Sequence, residues 1–185
     1  MTRIKDLSPT TMTAEQRAVH DAIASGPRGQ VRGPLAVWLH RPKLADRAQA
    51  LGQYCRYETS LEPRLSELAI LMLGRIWGAE FEWWAHKKIA LQAGVSPAVI
   101  EAIRTHTQPS FLHDDEALVH DFIRQLHQER RISDALYQKA VTLLGEEGVV
   151  DLVGIAGYYS LISMTIKVFQ VMPPDDAPLE LGDEP

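Results

Sequence analysis

The stretch from Leu65 to Val95, LSELAILMLGRIWGAEFEWWAHKKIALQAGV, decides the fold of this chain. Its first half contains LAILML, which is apolar on almost every helical face and is therefore typical of a buried helix. The small-residue corner Gly78-Ala79 follows and predicts a tight turn into a second helix. The stretch therefore predicts a central antiparallel helix pair.

Two ionisable side chains fall on the inward face of the second predicted helix. Glu82 and His86 are four residues apart, so they stack on one helical face, which continues through Ala90. Glu67 lies one residue before the apolar run of the first helix. Because a buried charge is costly unless it is paired or used, these residues mark the candidate functional site.

Composition narrows the class of protein. A length of 185 residues favours one domain, and 45% hydrophobic residues is ordinary for a globular protein. The net charge of -5 gives no electrostatic footprint for nucleic acid. The single cysteine, Cys55, excludes an intramolecular disulfide and a CxxC redox pair. The N-terminal MTRIKDLSP has no apolar segment typical of a secretory signal, so we expect a cytoplasmic protein.

The rest of the chain predicts an all-α fold of about seven to eight helices. Thr13 with Gln16 forms a capping-box pattern, and Ser96-Pro97 and Ser133 are further helix starts. In the helix from Lys43 to about Glu58, the residues predicted to face inward are Leu44, Ala48, Leu51 and Cys55. We expect residues 1–171 to form one domain. The proline-rich acidic tail, residues 172–185, is expected to be disordered or to lie on a neighbouring subunit.

The last helix, from about Glu147 to Val171, is long and mostly apolar. Asp151 and Lys167, together with its glycines and tyrosines, favour a buried or subunit-facing helix over a membrane span. We therefore expect no contact with a membrane.

Three segments resemble the carboxymuconolactone decarboxylase family, which includes the AhpD-like alkylhydroperoxidases. They are LHRP around His40, RLSELAIL around Glu67, and EFEWWAHKKIALQAGVSPAVIEAI around His86. The resemblance is strongest from about Gly33 to Arg104. It implies an all-helical AhpD-like domain that assembles into homo-oligomers, commonly trimers or hexamers.

Departures from the family pattern place the chain beside its cysteine-free, decarboxylase-like members. Peroxidase members carry CxxC, and the corresponding positions here are Ala79 and Glu82. Thiol peroxidase chemistry needs a thiolate, so we do not expect disulfide peroxidase activity. Arg41 and Lys167 also depart from the family pattern, and both add positive charge near the predicted cavity.

Decarboxylation of a small carboxylated lactone needs a group that binds the anion, a donor to the enolate-like charge, and a proton donor to carbon. His86 suits proton donation because its ordinary pKa lies near neutrality. Glu82 or Glu67 could orient the His86 ring, and His40 could be a second donor. The candidate substrate-binding residues are Arg41, Arg56, Trp83, Trp84, Tyr158 and Tyr159. The scheme requires no metal and no organic cofactor.

Two other classes of function stay open. In one, the helical oligomer binds a small molecule or partner protein without catalysis, and Glu82–His86 is a structural pair. In the other, Glu67, Glu82, His86 and His40 form a metal site, although the single Glu-x-x-x-His differs from the doubled Glu-x-x-His of di-iron bundles. The seven-residue recurrence of His106, His113, His120 and His127 predicts no metal site, because Pro109 interrupts any common helix.

Overall fold

The computed structural model describes residues 2–182, and this part of the chain contains eight helices and no strands. The helices are α1 (Ala14–Ser25), α2 (Pro34–Trp38), α3 (Pro42–Tyr57), α4 (Pro63–Trp77), α5 (Glu80–Gln92), α6 (Pro97–Arg104), α7 (Asp114–Glu129) and α8 (Asp134–Phe169). The all-α prediction is confirmed.

Local signals in the sequence set most helix ends. Thr13 and Gln16 form the capping box of α1, and the Ser96 and Ser133 hydroxyl oxygens accept backbone N–H groups at the starts of α6 and α8. Gly78 ends α4 with φ of 59°, a left-handed conformation that glycine adopts without a Cβ penalty. Gly145 has φ of 72° and breaks α8 into two helical segments, 134–144 and 146–169.

Helix α4 lies at the centre of the molecule, against α5, α7 and α8. Ten of its residues, from Leu65 to Gly74, form a continuous buried run. Gly74 packs against Trp83, and Glu67 contacts His86, so α4 and α5 pair in opposite order along the chain. Such an order of contacts is typical of two antiparallel helices.

The inward face of α3 differs from the prediction. Leu44 and Leu51 are each 47% exposed, whereas Ala45, Ala48, Gly52 and Cys55 are buried. The buried stripe consists of small residues because α3 packs closely against α8. At Gly52 a Cβ atom would overlap the hydroxyl group of Tyr158 on α8.

The C-terminal tail lies on its own chain through residue 182, which corrects the prediction of a disordered tail or one laid on a neighbouring subunit. Backbone N–H groups of Glu180 and Leu181 donate to the Glu80 carboxylate at 3.0 and 2.8 Å. The Glu180 side chain pairs with Lys87, and its backbone carbonyl accepts from Arg104. These contacts hold the tail against the start of α5. The last three residues of the predicted tail, 183–185, lie outside the described residues.

Among residues 2–182, one helix, α8, is long and apolar enough to span a membrane. However, 61% of its most apolar 18-residue window is buried inside the protein, as is usual for a core helix. Asp151 on this helix accepts hydrogen bonds from the Tyr54 hydroxyl and from the backbone and side chain of Ser60. These contacts tie α8 to the α3–α4 connection.

Candidate active site

His86 is held between two carboxylates. Its Nδ1 lies 2.7 Å from Glu67 Oε2, and its Nε2 lies 3.0 Å from Glu82 Oε1. All three residues are at most 5% exposed. A neutral imidazole has only one N–H, so hydrogen bonds to both carboxylates require the protonated ring. The arrangement is therefore an imidazolium flanked by two carboxylates, one on α4 and one on α5.

The charges around His86 favour this protonated form. Burial alone would lower the pKa of the ring, because it disfavours the cation. The carboxylates of Glu82 and Glu67 outweigh burial through their charges and hydrogen bonds, and they raise the pKa of His86 to about 9. His86 therefore holds an exchangeable proton throughout the neutral range.

A cavity of about 200 Å³ opens beside this cluster, and we call it the His86 cavity. Glu82 and His86 lie in its wall, whereas Glu67 lies behind His86 and does not line it. The remaining walls come from the loop before α2, the end of α3 and the middle of α8. The lining residues that carry the argument below are Arg28, Arg32, Arg56, Phe81, Tyr158 and Tyr159.

The His86 cavity is rich in positive charge. Among the described residues, three guanidinium groups, those of Arg28, Arg32 and Arg56, line it together with a single carboxylate, Glu82. Nε of Arg28 is buried and makes no hydrogen bond with any described residue, and Nη2 lies 3.5 Å from the Tyr158 hydroxyl. Since buried N–H groups are normally paired, this arrangement suits an anionic ligand.

Tyr158 and Tyr159 also line the His86 cavity. The Tyr159 ring lies edge-on to the His86 ring, with 5.4 Å between the ring centroids. Burial, followed by the Glu82 charge, raises the pKa of Tyr159 well above its ordinary value. Burial is also the main reason why the pKa of Tyr158 rises to about 12. Both hydroxyl groups therefore stay protonated and can donate hydrogen bonds.

Six of the predicted site residues are brought together here. Glu82, His86, Arg56, Tyr158 and Tyr159 line the His86 cavity, and Glu67 supports His86 from behind. The spacing of four residues between Glu82 and His86 placed both on one face of α5, as predicted.

The other predicted site residues lie elsewhere. His40 Nε2 is 2.9 Å from the backbone carbonyl of Lys5, and Arg41 is exposed at the start of α3. Trp83 is buried, and its Nε1 donates to Glu180 Oε2 at 3.3 Å. Trp84 packs against Phe81. None of these four predicted residues lines the His86 cavity.

Lys167 is also away from the cavity, contrary to the expectation that it adds charge there. Its Nζ donates to the backbone carbonyl of Gly78 at 3.3 Å, where it caps the carboxyl end of α4. The positive charge of the cavity comes instead from Arg28 and Arg32 of the loop before α2 and from Arg56 at the end of α3.

Sequence reasoning missed Arg28 and Arg32, which belong to the glycine-rich loop GPRGQVRGP. Gly33, with φ of 60°, lets this loop pass close to the Phe81 ring, where a Cβ atom would overlap it. The Arg32 guanidinium lies 5.0 Å from the centroid of the Trp84 ring, which is a cation–π contact. The sequence shows two arginines between glycines in this loop. It has no periodic pattern from which the path of the loop could be predicted.

Within residues 2–182, no three His, Cys, Asp or Glu side chains are grouped as ligands of one metal ion. The donors of the His86 cluster point at each other, because each ring nitrogen faces a carboxylate oxygen.

Residues 42–112, which include α3 to α6 and the whole Glu67–His86–Glu82 cluster, match the model of the carboxymuconolactone decarboxylase family. The resemblance inferred from His40, Glu67 and His86 is thereby confirmed. No curated protein matches the sequence.

Two solved structures have a similar fold. One is an uncharacterized peroxidase-related protein from Silicibacter sp. TM1040, with a TM-score of 0.75 and 14% identity over 98% of this chain and 95% of that chain. The other is described as an alkylhydroperoxidase AhpD core, an uncharacterized peroxidase-related protein from Ralstonia eutropha JMP134. It has a TM-score of 0.76 and 13% identity over 95% of this chain and 93% of that chain. The fold is therefore AhpD-like along almost the entire chain.

Proposed function

We propose that this chain is a carboxymuconolactone decarboxylase-like enzyme that acts on a small carboxylated lactone or a related organic acid. One observation carries the proposal: a carboxylate–imidazolium–carboxylate cluster opens onto a cavity lined by three arginines. The arginines supply charge for an anionic substrate, and the cluster supplies a proton. The match of residues 42–112 to the model of the decarboxylase family supports the same assignment.

We propose that Glu82, rather than His86, protonates the substrate carbon. Both nitrogens of His86 are engaged by carboxylates, whereas Glu82 contacts His86 through Oε1 and lines the cavity. In this scheme His86 passes its Nε2 proton to Glu82, which delivers it to substrate carbon. Glu67 holds the ring in place through Nδ1. His86 is thus a proton relay.

The proposed decarboxylation consumes one proton. The bond between the substrate carbon and its carboxylate breaks, carbon dioxide leaves, and the electron pair passes into the lactone carbonyl as an enolate. Protonated hydroxyl groups of Tyr158 or Tyr159 stabilise the enolate oxygen by hydrogen bonding. Glu82 then protonates the carbon, and solvent restores the proton to His86. The scheme uses neither a metal nor an organic cofactor.

A panel of small carboxylated lactones, assayed for release of carbon dioxide, tests the proposal. Glu82→Gln keeps the shape of the side chain but removes the acid, so we expect turnover to fall by about 100-fold or more. His86→Ala should also abolish turnover. The matched control is Glu101→Gln, which changes an exposed carboxylate on α6 and should leave turnover unchanged. Full activity of Glu82→Gln would contradict the assignment.

A second candidate is a non-catalytic binder of small organic acids. It is favoured by the fact that every ring nitrogen of His86 is already paired, as expected of a purely structural cluster. Binding of the lactone panel by the wild-type chain without turnover would support this alternative. A metal-dependent enzyme ranks third, and metal analysis of the purified protein would test it.

Disulfide peroxidase activity is not part of the proposal, although both structural neighbours are described as peroxidase-related. Ala79 and Glu82 stand where a CxxC pair would be. Cys55 is fully buried, and burial raises the pKa of its thiol to about 11. A buried neutral thiol without a partner cysteine is a poor nucleophile.

We further propose a soluble, cytoplasmic homo-oligomer, a trimer or hexamer. An exposed apolar stripe along α8 supports self-association, because such stripes mark interaction surfaces. The stripe consists of Val150, Val153, Leu161, Met164 and Val168, which lie at helical spacing on one face.

A further inference from the structure

One wall of the His86 cavity is a loop rather than a helix. The loop joins α1 to α2, and we call residues 27–33 the lid loop. It contributes the side chains of Arg28, Gln30 and Arg32 to the cavity. Beyond the lid loop, the lining residues belong to helices α2, α3, α5 and α8. A change in the position of this loop would therefore open or close the cavity.

The lid loop is a thin partition between two cavities. Arg28, Gln30 and Arg32 line the His86 cavity. Val31 and Gly33, which alternate with them, line a second cavity of about 290 Å³, and Arg32 borders both. Such alternation is typical of an extended chain, in which successive residues point to opposite sides. The loop therefore borders a cavity on each side and has room to move.

Few contacts hold the lid loop in place. Among the described residues, the first six residues of the loop make a single backbone–backbone hydrogen bond, from the Gly29 N–H to the C-cap residue of α1 at 3.1 Å. Nη2 of Arg28 lies 3.5 Å from the Tyr158 hydroxyl. The exposed Arg32 side chain lies over the Trp84 ring. Segments with so few backbone hydrogen bonds open locally at low cost in free energy.

Repulsion between like charges opposes closure of the loop when no ligand is bound. Arg28 and Arg32 are on the lid loop, and Arg56 lines the same cavity from the end of α3. Among the described lining residues the one carboxylate is that of Glu82, which is already paired with His86. Three guanidinium groups around one cavity repel each other, whereas an anion between them attracts all three. A bound anion therefore favours the position in which both arginines of the loop reach the cavity.

We propose that the lid loop closes over the His86 cavity when an anionic substrate binds and opens again to release the product. This inference rests on the proposed function, because it requires an anion in the cavity. Closure excludes water from the substrate and completes its binding site. The buried Nε of Arg28, which makes no hydrogen bond with any described residue, gains a partner in the substrate carboxylate. In the open position the loop moves toward the second cavity.

Limited proteolysis measures the position of the lid loop, because trypsin cleaves after Arg28 and Arg32 when the loop is displaced. The probe is γ-carboxy-γ-butyrolactone, whose carboxylate cannot leave an enolate, so it binds without reacting. At saturation it should slow cleavage at both bonds about tenfold or more, since it lowers the open population. Neutral γ-butyrolactone should not. Cleavage after Arg131, whose side chain is 82% exposed, is the internal control and should not change.

Gly33→Ala tests the closed position itself. A Cβ atom at Gly33 would overlap the Phe81 ring, so the variant should hold the loop open and the lactone should no longer slow cleavage. Gly29→Ala is the matched control. The φ of Gly29 is 69° and that of Gly33 is 60°, so both variants carry a similar backbone cost, but a Cβ at Gly29 meets nothing within 4 Å. Gly29→Ala should keep the protection.

Arg32→Gln tests closure without a change in backbone conformation. It removes one of the two charges through which the anion holds the loop, so protection of the bond after Arg28 should weaken about tenfold. Arg41→Gln is the matched control, because Arg41 is exposed at the start of α3 and does not line the His86 cavity. It should keep full protection.

Turnover of the lactone panel is measured separately, so failure of the lid loop and failure of the proposed function are distinguishable. Decarboxylation of a lactone without protection of the lid loop would overturn the inference and leave the enzyme assignment intact. Protection without turnover would support the inference and contradict the enzyme assignment. Absence of protection by every carboxylated lactone, or equal protection of Gly33→Ala and Gly29→Ala, would also overturn the inference.

Discussion

At the scale of single residues, His86 determines what the site can do. A buried imidazole between two carboxylates is protonated at neutral pH, and it can release that proton only to a group that it already contacts. Glu82 is the one of these two contacts that lines the His86 cavity. The chemistry of the site is therefore expected to depend on Glu82 and His86 as a unit.

We predict that the His86 ring titrates with a midpoint of about 9, against 6.5 for an ordinary histidine. Between these two pH values the folded chain binds one proton more than the unfolded chain. The free energy of unfolding should therefore fall as pH rises through this interval, by an amount on the order of 3 kcal/mol. The stabilisation is complete below about pH 6.5 and lost above about pH 9.

NMR titration of the His86 ring measures the midpoint, and urea unfolding at several pH values measures the stability. Glu67→Gln removes one flanking charge and should lower the midpoint. Glu15→Gln, which changes an exposed carboxylate at the start of α1, is the matched control and should not move it. A wild-type midpoint at or below 6.5 would contradict the geometry described here.

Some of these site residues could be predicted from the sequence, and others could not. Glu82 and His86 could be predicted, because the spacing of four residues fixes their common face. The contact between Glu67 and His86 depends on the register of two paired helices, which the resemblance supplied but periodicity did not. Arg28 lies in a loop whose path depends on Gly33 and Phe81, so no local pattern could place it at the cavity.

At the scale of elements, α3 shows that close packing against another helix decides which face of a helix is buried. Periodicity favours Leu44 and Leu51 as core residues, but the structure buries the adjacent small residues Ala45 and Gly52. The reason is the distance between helices: Tyr158 of α8 occupies the space that a Cβ atom of Gly52 would need. A close helix contact requires small residues, and hydrophobicity alone does not show where such a contact lies.

We predict that Gly52→Ala destabilises the fold by about 1–3 kcal/mol, because buried Tyr158 cannot move without disturbing its neighbours. It should also displace Arg28 from the His86 cavity, since the new atom would lie 2.6 Å from Arg28 Nη2. Urea unfolding is the measurement. Gly154→Ala on α8 is the control: its Cβ would make only an ordinary contact with Cys55 Sγ at 3.9 Å, so helix propensity should make it neutral or stabilising. Equal stability of the two variants would disprove this account of α3.

At the scale of the whole molecule, the exposed apolar stripe of α8 predicts self-association. Val150 is 71% exposed, Val153 50% and Val168 57%, although the opposite side of the same helix forms part of the core. A helix that is apolar on both sides is expected to be covered on both sides.

We therefore expect sedimentation velocity to give a mass of three or six chains for the wild-type protein. A double substitution in the stripe, Val153→Glu with Met164→Glu, should shift the protein to smaller species by placing charge in the interface. Leu112→Glu is the matched control, because Leu112 is 88% exposed but lies outside α8. A monomeric wild-type protein, or an unchanged mass for the double variant, would contradict the prediction.

The central claim is that the His86 cavity binds a small carboxylated lactone and presents it to Glu82. The measurement that tests it most directly is a crystal structure after a soak with such a lactone. We predict density for the ligand in this cavity. Its carboxylate should pair with the Arg28 guanidinium, and its ring carbon should lie close enough to the Glu82 carboxyl group to receive a proton. Density only elsewhere, or an empty cavity with Glu82 and His86 unchanged, would contradict the claim and identify the cluster as structural.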